Sequence, residues 1–453
     1  MISRTIGWLN RSPGKAGAIA GWYQQFASGI ITLALIPLIV RKLSPENSGL
    51  WFSFQSLANI VGLTDFGVGF VLARQVAFSI AATGDKPPGD FLDIPRGWEG
   101  INRLYAACRG IFSRIIFIAI GILIFLHEMV LPHTKLSGQN TLATTVAFYL
   151  LGASTIIFIK TRQYQALLDG LGRMYMGRFL AGCYQFLSGI MVMIALLAGG
   201  GLLSMAFSLF ALSAVFLIVL RRICYRVSEA RLDWGVKPDP ALIKSMLKVS
   251  APMGIVSISG YCVSAIQSPL IGSILGPAFV APYYAAQKIG DMLCSAVSQL
   301  ISPQLPLFTA SLAAGNITAA LIRLKRTIAV VSTVAFLTST SFFLFSPVFA
   351  NFWLGKGHYI NSVTLGWLAL NYFLGIASVA WGQFVFASGI NPFMWTTILM
   401  GALNLLGCFV LGTKFGTAGI AASLVLAGLM SNTIYAPYRG ILLLKQLTRK
   451  ITQ

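Results

Sequence analysis

The sequence predicts an all-α integral membrane protein with about twelve transmembrane helices in two parallel six-helix bundles. Three observations predict this fold. Of the 453 residues, 56% are apolar and only 10% are charged, with a mean hydropathy of +0.78, whereas soluble domains are about 45–50% apolar and about 25% charged. The apolar residues form runs of about 20, the length that crosses a bilayer as a helix. The two halves also resemble each other at a fixed offset. A soluble enzyme, a secreted domain and a disordered chain are thereby excluded.

The apolar runs define the individual spans, and they do not alternate as membrane strands would. The predicted spans are residues 17–40, 48–70, 112–131, 141–159, 179–199, 202–220, 250–275, 280–302, 327–350, 362–386, 393–411 and 418–437.

The positions of the basic residues predict the orientation. The chain has 33 Lys and Arg against 12 Asp and Glu, a net charge of +21. With both termini in the cytoplasm, 27 of the 33 basic residues fall in the N-tail, the C-tail or the loops on the inner side, as the positive-inside rule requires. We therefore expect a multi-pass membrane protein with cytoplasmic N- and C-termini. Since the charges are dispersed between spans, no nucleic-acid partner is expected.

No pattern for soluble-type chemistry is present. The sequence has no Walker A motif, no metal-ligand cluster and no nucleophile motif, so we expect neither an enzyme nor a cofactor or metal. The six cysteines lie in spans or cytoplasmic segments, and we expect no disulfides.

An internal repeat relates the two halves. Displacing the sequence by 232 residues gives nine identities within residues 37–82, including Pro37 on Pro269 and Gln55 on Gln287. Because this displacement spans six helices, the halves have the same orientation and are related by a pseudo-two-fold axis along the membrane normal. The predicted domains are an N-terminal bundle at 1–220, a cytoplasmic linker at 221–249, and a C-terminal bundle with a basic cytoplasmic tail at 250–453.

A few polar residues inside the spans are candidate site residues, because such groups are costly in a bilayer. Lys288 and Asp291 share one face of span 8. Either they form a structural ion pair, or Lys288 faces a central cavity and meets an anion while Asp291 tunes it. Five amides are predicted to line the same cavity and to bind sugar hydroxyls, with interhelical hydrogen bonds as the alternative: Gln24, Gln55, Asn59, Gln267 and Gln287.

Two further groups complete the predicted site. Asp65 and Arg74 lie toward the cytoplasmic end of span 2, where they form either an interfacial pair or an inner gate that contacts phosphate. Pro37, Pro252 and Pro269 allow bends in spans 1 and 7. Such bends are predicted to serve as hinges for alternating access.

Two motifs resemble a known family. Arg41-Lys-Leu-Ser-Pro-Glu-Asn-Ser-Gly-Leu-Trp51, followed by Thr64-Asp-Phe-Gly-Val-Gly69 and Arg74, resembles the opening of polysaccharide-exporter and O-antigen flippase proteins. The sequence departs from the family pattern at Ser44, where Gly is usual, and at Ser48, where Tyr is usual. Pro306-Leu-Phe and Ala-Ala-Gly315-Asn316 resemble the family's span 8 ending.

The resemblance implies a member of the multidrug, oligosaccharidyl-lipid and polysaccharide exporter superfamily. Such a protein moves an undecaprenyl-pyrophosphate-linked oligosaccharide, such as an O-antigen or capsule repeat unit, from the inner to the outer leaflet. We expect a monomer that acts beside glycosyltransferases and a glycan polymerase. The alternatives are a multidrug-type cation antiporter of the same fold and, in another class, a membrane glycan polymerase or glycosyltransferase. That last class usually has a large outer loop, and here the outer loops are short.

Overall fold

The computed structural model describes residues 13–65, 67–81, 97–133, 142–229, 231–301, 317–355, 360–387 and 392–452. Within these residues the chain is helical and contains no β-strand. The α-helices of the described part are α1 (Pro13–Lys42), α2 (Pro45–Gly62), α3 (Val68–Ala81), α4 (Trp98–Phe125), α5 (Leu142–Gly170), α6 (Met174–Leu197), α7 (Leu202–Val227), α8 (Pro240–Ser264), α9 (Gln267–Ile274), α10 (Val280–Ile301), α11 (Ile317–Trp353), α12 (Ser362–Ala387), α13 (Met394–Gly428) and α14 (Ile434–Thr452).

Each of the twelve predicted spans falls on one of these helices or on two in succession, which confirms the predicted fold class. Nine helices in the described part of the chain are long and apolar enough to cross a membrane. Neither α2 nor α10 is among the nine, although both are helical. The reason is visible in their sequences, because α2 contains Gln55 and Asn59 while α10 contains Lys288 and Asp291.

The helices depart from the predicted spans within span 2 and between spans 11 and 12. Span 2 consists of α2, a short 3₁₀ turn at Leu63–Asp65 and α3, with Gly67 in the left-handed region at φ 71°. Spans 11 and 12 are joined within α13, where Gly416 takes φ 61° and ψ −140°. Cys408 Sγ lies 3.1 Å from Ser423 Oγ, so the chain reverses at Gly416 and its two arms pack side by side. A left-handed conformation favours glycine at such a turn.

The described residues fall into two compact units. One lies within Met1–Leu43 and Phe54–Ser257, and the other within Ser44–Ser53 and Ile258–Gln453. In the first unit α1 packs along α6, and α5 packs along α7. In the second unit α12 packs against α11, α13 and α14, and Val297, Val331, Ala335 and Ile376 form a buried cluster. The finer division at residues 220 and 250 stays a prediction.

The predicted linker 221–249 is helical at both ends, since α7 continues to Val227 and α8 begins at Pro240. Its middle is held on α4. Arg109 donates hydrogen bonds to the carbonyl oxygens of Trp234 at 2.7 Å and Val236 at 2.9 Å. Asn102 donates to the Arg231 carbonyl at 3.1 Å. The segment between α7 and α8 is therefore docked on the first unit.

Candidate functional site

Lys288 and Asp291 form an ion pair on α10 in the second unit. Lys288 Nζ lies 3.6 Å from Asp291 Oδ2, and the two side chains are 36% and 42% exposed. This separation is longer than a charge-assisted hydrogen bond. An ammonium group has three N–H donors, so Lys288 keeps the capacity to bind a second anion.

The ring of Tyr284 supports the ammonium group. Lys288 Nζ lies 5.2 Å from the ring centroid, a cation–π distance. On another side the Tyr284 ring stacks on Phe52, with centroids 4.3 Å apart and planes inclined by 18°. Residues 52 and 284 are equivalent under the 232-residue repeat. The base of the lysine site is thus an aromatic pair made by repeat-related positions.

Tyr372 of α12 fixes the position of this part of α10. Its hydroxyl donates to the Gln287 carbonyl oxygen at 2.9 Å and lies 3.5 Å from Asp291 Oδ1. The ring packs directly on Gly290, where a Cβ atom would lie 1.9 Å from a ring carbon. Glycine is therefore required at 290 for α10 and α12 to approach this closely. We name Tyr284, Gln287, Lys288, Asp291 and Tyr372 the Lys288 cluster.

Span 7 is broken at Ala265 and Ile266, between α8 and α9. Pro269 is the third residue of α9, and it cannot donate to the carbonyl four residues earlier, which is that of Ala265. The amide nitrogens of Ala265 and Ile266 both donate to the Tyr261 carbonyl. The carbonyls of the last residues of α8 are thus released from the helical pattern.

Three side-chain amides satisfy the released carbonyls. Asn404 Nδ2 donates to Cys262 O at 2.6 Å, Gln267 Nε2 to Val263 O at 2.5 Å, and Gln287 Nε2 to Ser264 O at 2.7 Å. All three residues are buried. The amide groups of Gln267 and Gln287, predicted to bind sugar hydroxyls, therefore donate to backbone carbonyls. A buried backbone carbonyl without a hydrogen-bond partner is costly in a low-dielectric environment. These amides are therefore expected to keep their carbonyl partners when a substrate is present.

The other predicted cavity residues lie in the first unit. Gln24 on α1 and Gln55 on α2 are half-buried, and Asn59 on α2 is exposed. Of the predicted hinges, Pro37 lies within the continuous helix α1 and Pro252 within α8, whereas Pro269 follows the break. A single cavity shared by all the predicted residues stays a prediction.

Asp65 has a different partner from the one that its sequence position suggested. Asp65 Oδ2 accepts a hydrogen bond from Arg162 Nη1 on α5 at 3.0 Å. Asp65 is 7% exposed, and in the described part its Oδ1 atom is buried with no hydrogen-bond partner. Arg74 lies on α3 and is half-buried.

Sequence reasoning missed Arg162, Asn404, Tyr372 and Gly290 as members of these sites. Asn404 was visible as an intramembrane amide, and Arg162 as a basic residue just after span 4. Nothing in the sequence distinguished Tyr372 or Gly290 from packing residues. In the described part of the chain, no three His, Cys, Asp or Glu side chains come together to hold a metal ion. The Pro306 and Gly315 motif lies outside the described residues.

The described helices define a polytopic α-helical membrane protein. The fold is that of the MOP-superfamily transporters. An inward-facing multidrug resistance MATE family transporter of that superfamily superposes with a TM-score of 0.66 and 15% identity over 93% of this chain and 96% of its own. The lipid II flippase MurJ in an inward closed conformation superposes with a TM-score of 0.65 and 14% identity over 93% of this chain and 87% of its own.

A third solved structure, a mutant of the Vibrio cholerae MATE transporter VcmN, gives a TM-score of 0.53 and 14% identity over 97% of this chain and 98% of its own. At these identities the similarity establishes the fold and not the substrate. No protein-family model and no curated protein matches the chain.

Proposed function

We propose that the protein is a flippase that moves an undecaprenyl-pyrophosphate-linked oligosaccharide from the inner to the outer leaflet by alternating access. The observation that carries the proposal is Lys288, a partly exposed cation on α10 within the predicted span 8, which lies against the Tyr284 ring and 3.6 Å from Asp291. A charged side chain at membrane depth is expensive and marks a functional site by default. Its positive charge is complementary to the negative charge of a pyrophosphate.

The physical task explains why a protein with this site is needed. A pyrophosphate and a sugar chain cannot enter hydrocarbon unaided, because burying unpaired charge and unpaired hydroxyls is costly. Lys288 supplies the compensating charge, and the Tyr284 ring supports its ammonium group. The lipid tail remains in the bilayer. The process is transport, and no bond of the substrate is made or broken.

The sequence motifs support the same proposal. The Arg41–Trp51 and Thr64–Gly69 segments resemble those of O-antigen flippases, and one of the solved structures with this fold is described as a lipid II flippase. With 27 of the 33 basic residues on one predicted side, we place both termini in the cytoplasm and the protein in the bacterial inner membrane. We further propose a monomer that receives its substrate from glycosyltransferases and delivers it to a polymerase.

The proposal is tested by deleting the gene in its native host. Lipid-linked oligosaccharide should then accumulate in the inner leaflet and surface glycan should fall. Lys288→Ala should insert normally yet restore less surface glycan than the wild type. Lys414→Ala, which removes an exposed lysine of α13 in the same unit, is the matched control and should restore it fully. Equal surface glycan in the Lys288→Ala and wild-type strains contradicts the site assignment.

A second candidate function is a multidrug-type cation antiporter. The buried carboxylate of Asp65 favours it, since such transporters need acidic groups for cations. Its Oδ2 atom accepts a hydrogen bond from Arg162, but its Oδ1 atom has no partner among the described residues. Two of the structurally similar proteins are described as MATE family transporters. Export of cationic dyes that is lost in Asp65→Asn, together with unchanged surface glycan in the deletion strain, supports this function over the flippase.

A further inference from the structure

We infer that Tyr372 is a positioning residue whose hydroxyl links the Lys288–Asp291 pair to the break between α8 and α9. Through this link, an anion that binds Lys288 loosens the break. The inference deepens the proposed function, and it rests on that proposal in taking the anion to be the pyrophosphate of the substrate.

In the first step, two acceptors compete for one hydrogen bond from the Tyr372 hydroxyl. The Tyr372 hydroxyl has a single O–H donor and two acceptors nearby, Gln287 O at 2.9 Å and Asp291 Oδ1 at 3.5 Å. With Lys288 beside Asp291 Oδ2, the charge of the carboxylate is already balanced by the ammonium group. The Tyr372 hydroxyl then donates to the Gln287 carbonyl oxygen. An anion that draws the ammonium group away leaves Asp291 uncompensated. Since hydrogen bonds to ionised acceptors are the stronger ones, Asp291 then competes for the proton.

The second step carries the change to the break. Gln287 accepts the Tyr372 hydroxyl through its backbone carbonyl, and it donates to Ser264 O through its side chain at 2.7 Å. Ser264 is the last residue of α8. Loss of the Tyr372 hydrogen bond frees the turn of α10 that holds Gln287, and with it the donor that satisfies the Ser264 carbonyl. The break loses one of its three amide partners and opens more readily.

The packing of Tyr372 holds its ring in place while the hydroxyl changes acceptor. The ring lies against Gly290 and meets Phe342 edge-on, with centroids 5.6 Å apart and planes at 89°. Because Tyr372 is buried, the ring has no room to leave its site. The hydroxyl therefore exchanges acceptors without a rearrangement of α12, and Tyr372→Phe removes the link while preserving the packing.

Hydrogen exchange of the purified full-length chain in detergent tests this link. Lys288→Met should raise backbone amide exchange in peptides covering residues 262–275 about threefold, the factor expected for one membrane-embedded hydrogen bond. Inorganic pyrophosphate added to the wild type, compared with chloride at equal ionic strength, should raise it in the same peptides. In a Tyr372→Phe background, neither Lys288→Met nor pyrophosphate should have any further effect.

Two more variants keep the test sharp. Tyr283→Phe removes a neighbouring buried hydroxyl on α10 that, within the described residues, has no hydrogen-bond partner, and it should leave the response intact. Asp291→Asn, which removes the competing charge, should abolish the response to Lys288→Met even if Tyr372→Phe folds poorly. A response that persists in both Tyr372→Phe and Asp291→Asn overturns the link, as does unchanged exchange in Lys288→Met.

The two proposals fail separately. If Lys288→Met acts through Tyr372 but pyrophosphate has no effect, the anion-driven part is wrong and the link between the pair and the break stands. If the exchange experiments support the Tyr372 link but Lys288→Ala leaves surface glycan normal, the proposed substrate is wrong. The link between the Lys288–Asp291 pair and the break then still stands.

Discussion

The carboxylate of Asp65 is buried, whereas the side chain of Arg162 that neutralises it is 46% exposed. Removing a partner from a buried charge is costly, because the remaining ion is left uncompensated. We therefore expect Arg162→Met to lower the free energy of unfolding by about 2 kcal/mol, a value reduced from that of a fully buried pair by the exposure of the arginine. An unfolding titration with SDS in mixed micelles measures it.

Two further variants distinguish loss of the Asp65–Arg162 interaction from other effects of replacing an arginine. Asp65→Asn removes the buried charge and should cost less than Arg162→Met. The double variant should be more stable than Arg162→Met alone. Strictly additive losses would show that the two side chains do not interact in solution.

Sequence position alone could not identify this partner. Arg74 follows Asp65 closely in the chain, whereas Arg162 is 97 residues away. The pairing depends on α5 continuing to Gly170, beyond the predicted end of span 4 at residue 159, and on α3 packing against α5. Lys288 and Asp291, by contrast, were recognisable because their spacing on one helix already places them together.

At the scale of elements, the attachment of the segment between α7 and α8 to Arg109 can be tested. Arg109 holds its backbone through two hydrogen bonds, and Arg221 lies 4.9 Å from the Trp234 ring centroid. Because hydrogen bonds from a charged donor are the stronger kind, Arg109→Met should release the segment. Chymotrypsin cleavage after Trp234 should then be about tenfold faster.

Arg103→Met is the matched control for this cleavage experiment. Arg103 lies on the same helix, and in the described part its ion pair is with the exposed Glu99 at 2.9 Å. Cleavage after Trp234 should be unchanged in this variant. A rate in Arg109→Met equal to that of the wild type would show that the arginine does not hold the segment.

The helices themselves were predictable from hydropathy, but the break in span 7 was not. Pro37, Pro252 and Pro269 were equivalent as signals for a bend, yet only Pro269 follows a break in the described helices. The difference lies in the surroundings, since three amides from α9, α10 and α13 donate to the released carbonyls. A single-sequence pattern contains no information on which distant side chains will meet a given turn.

At the scale of the whole molecule, the distribution of basic residues predicts both termini in the cytoplasm. A C-terminal fusion to a green fluorescent protein should therefore fluoresce, and a C-terminal fusion to alkaline phosphatase should be inactive. A phosphatase fused after Lys414, in a predicted outer loop, should be active as the positive control. An active C-terminal phosphatase would place the C-terminus outside and would contradict the predicted orientation.

The central proposal is that the protein moves a pyrophosphate-linked oligosaccharide lipid across the bilayer, with Lys288 at the pyrophosphate. Its most direct measurement is translocation of a fluorescent undecaprenyl-pyrophosphate-linked oligosaccharide in proteoliposomes that contain equal amounts of correctly inserted protein. We predict transfer well above that of empty vesicles for the wild type and Lys414→Met, and transfer reduced about tenfold for Lys288→Met. Transfer no faster than in empty vesicles, or equal rates for Lys288→Met and the wild type, would contradict the claim.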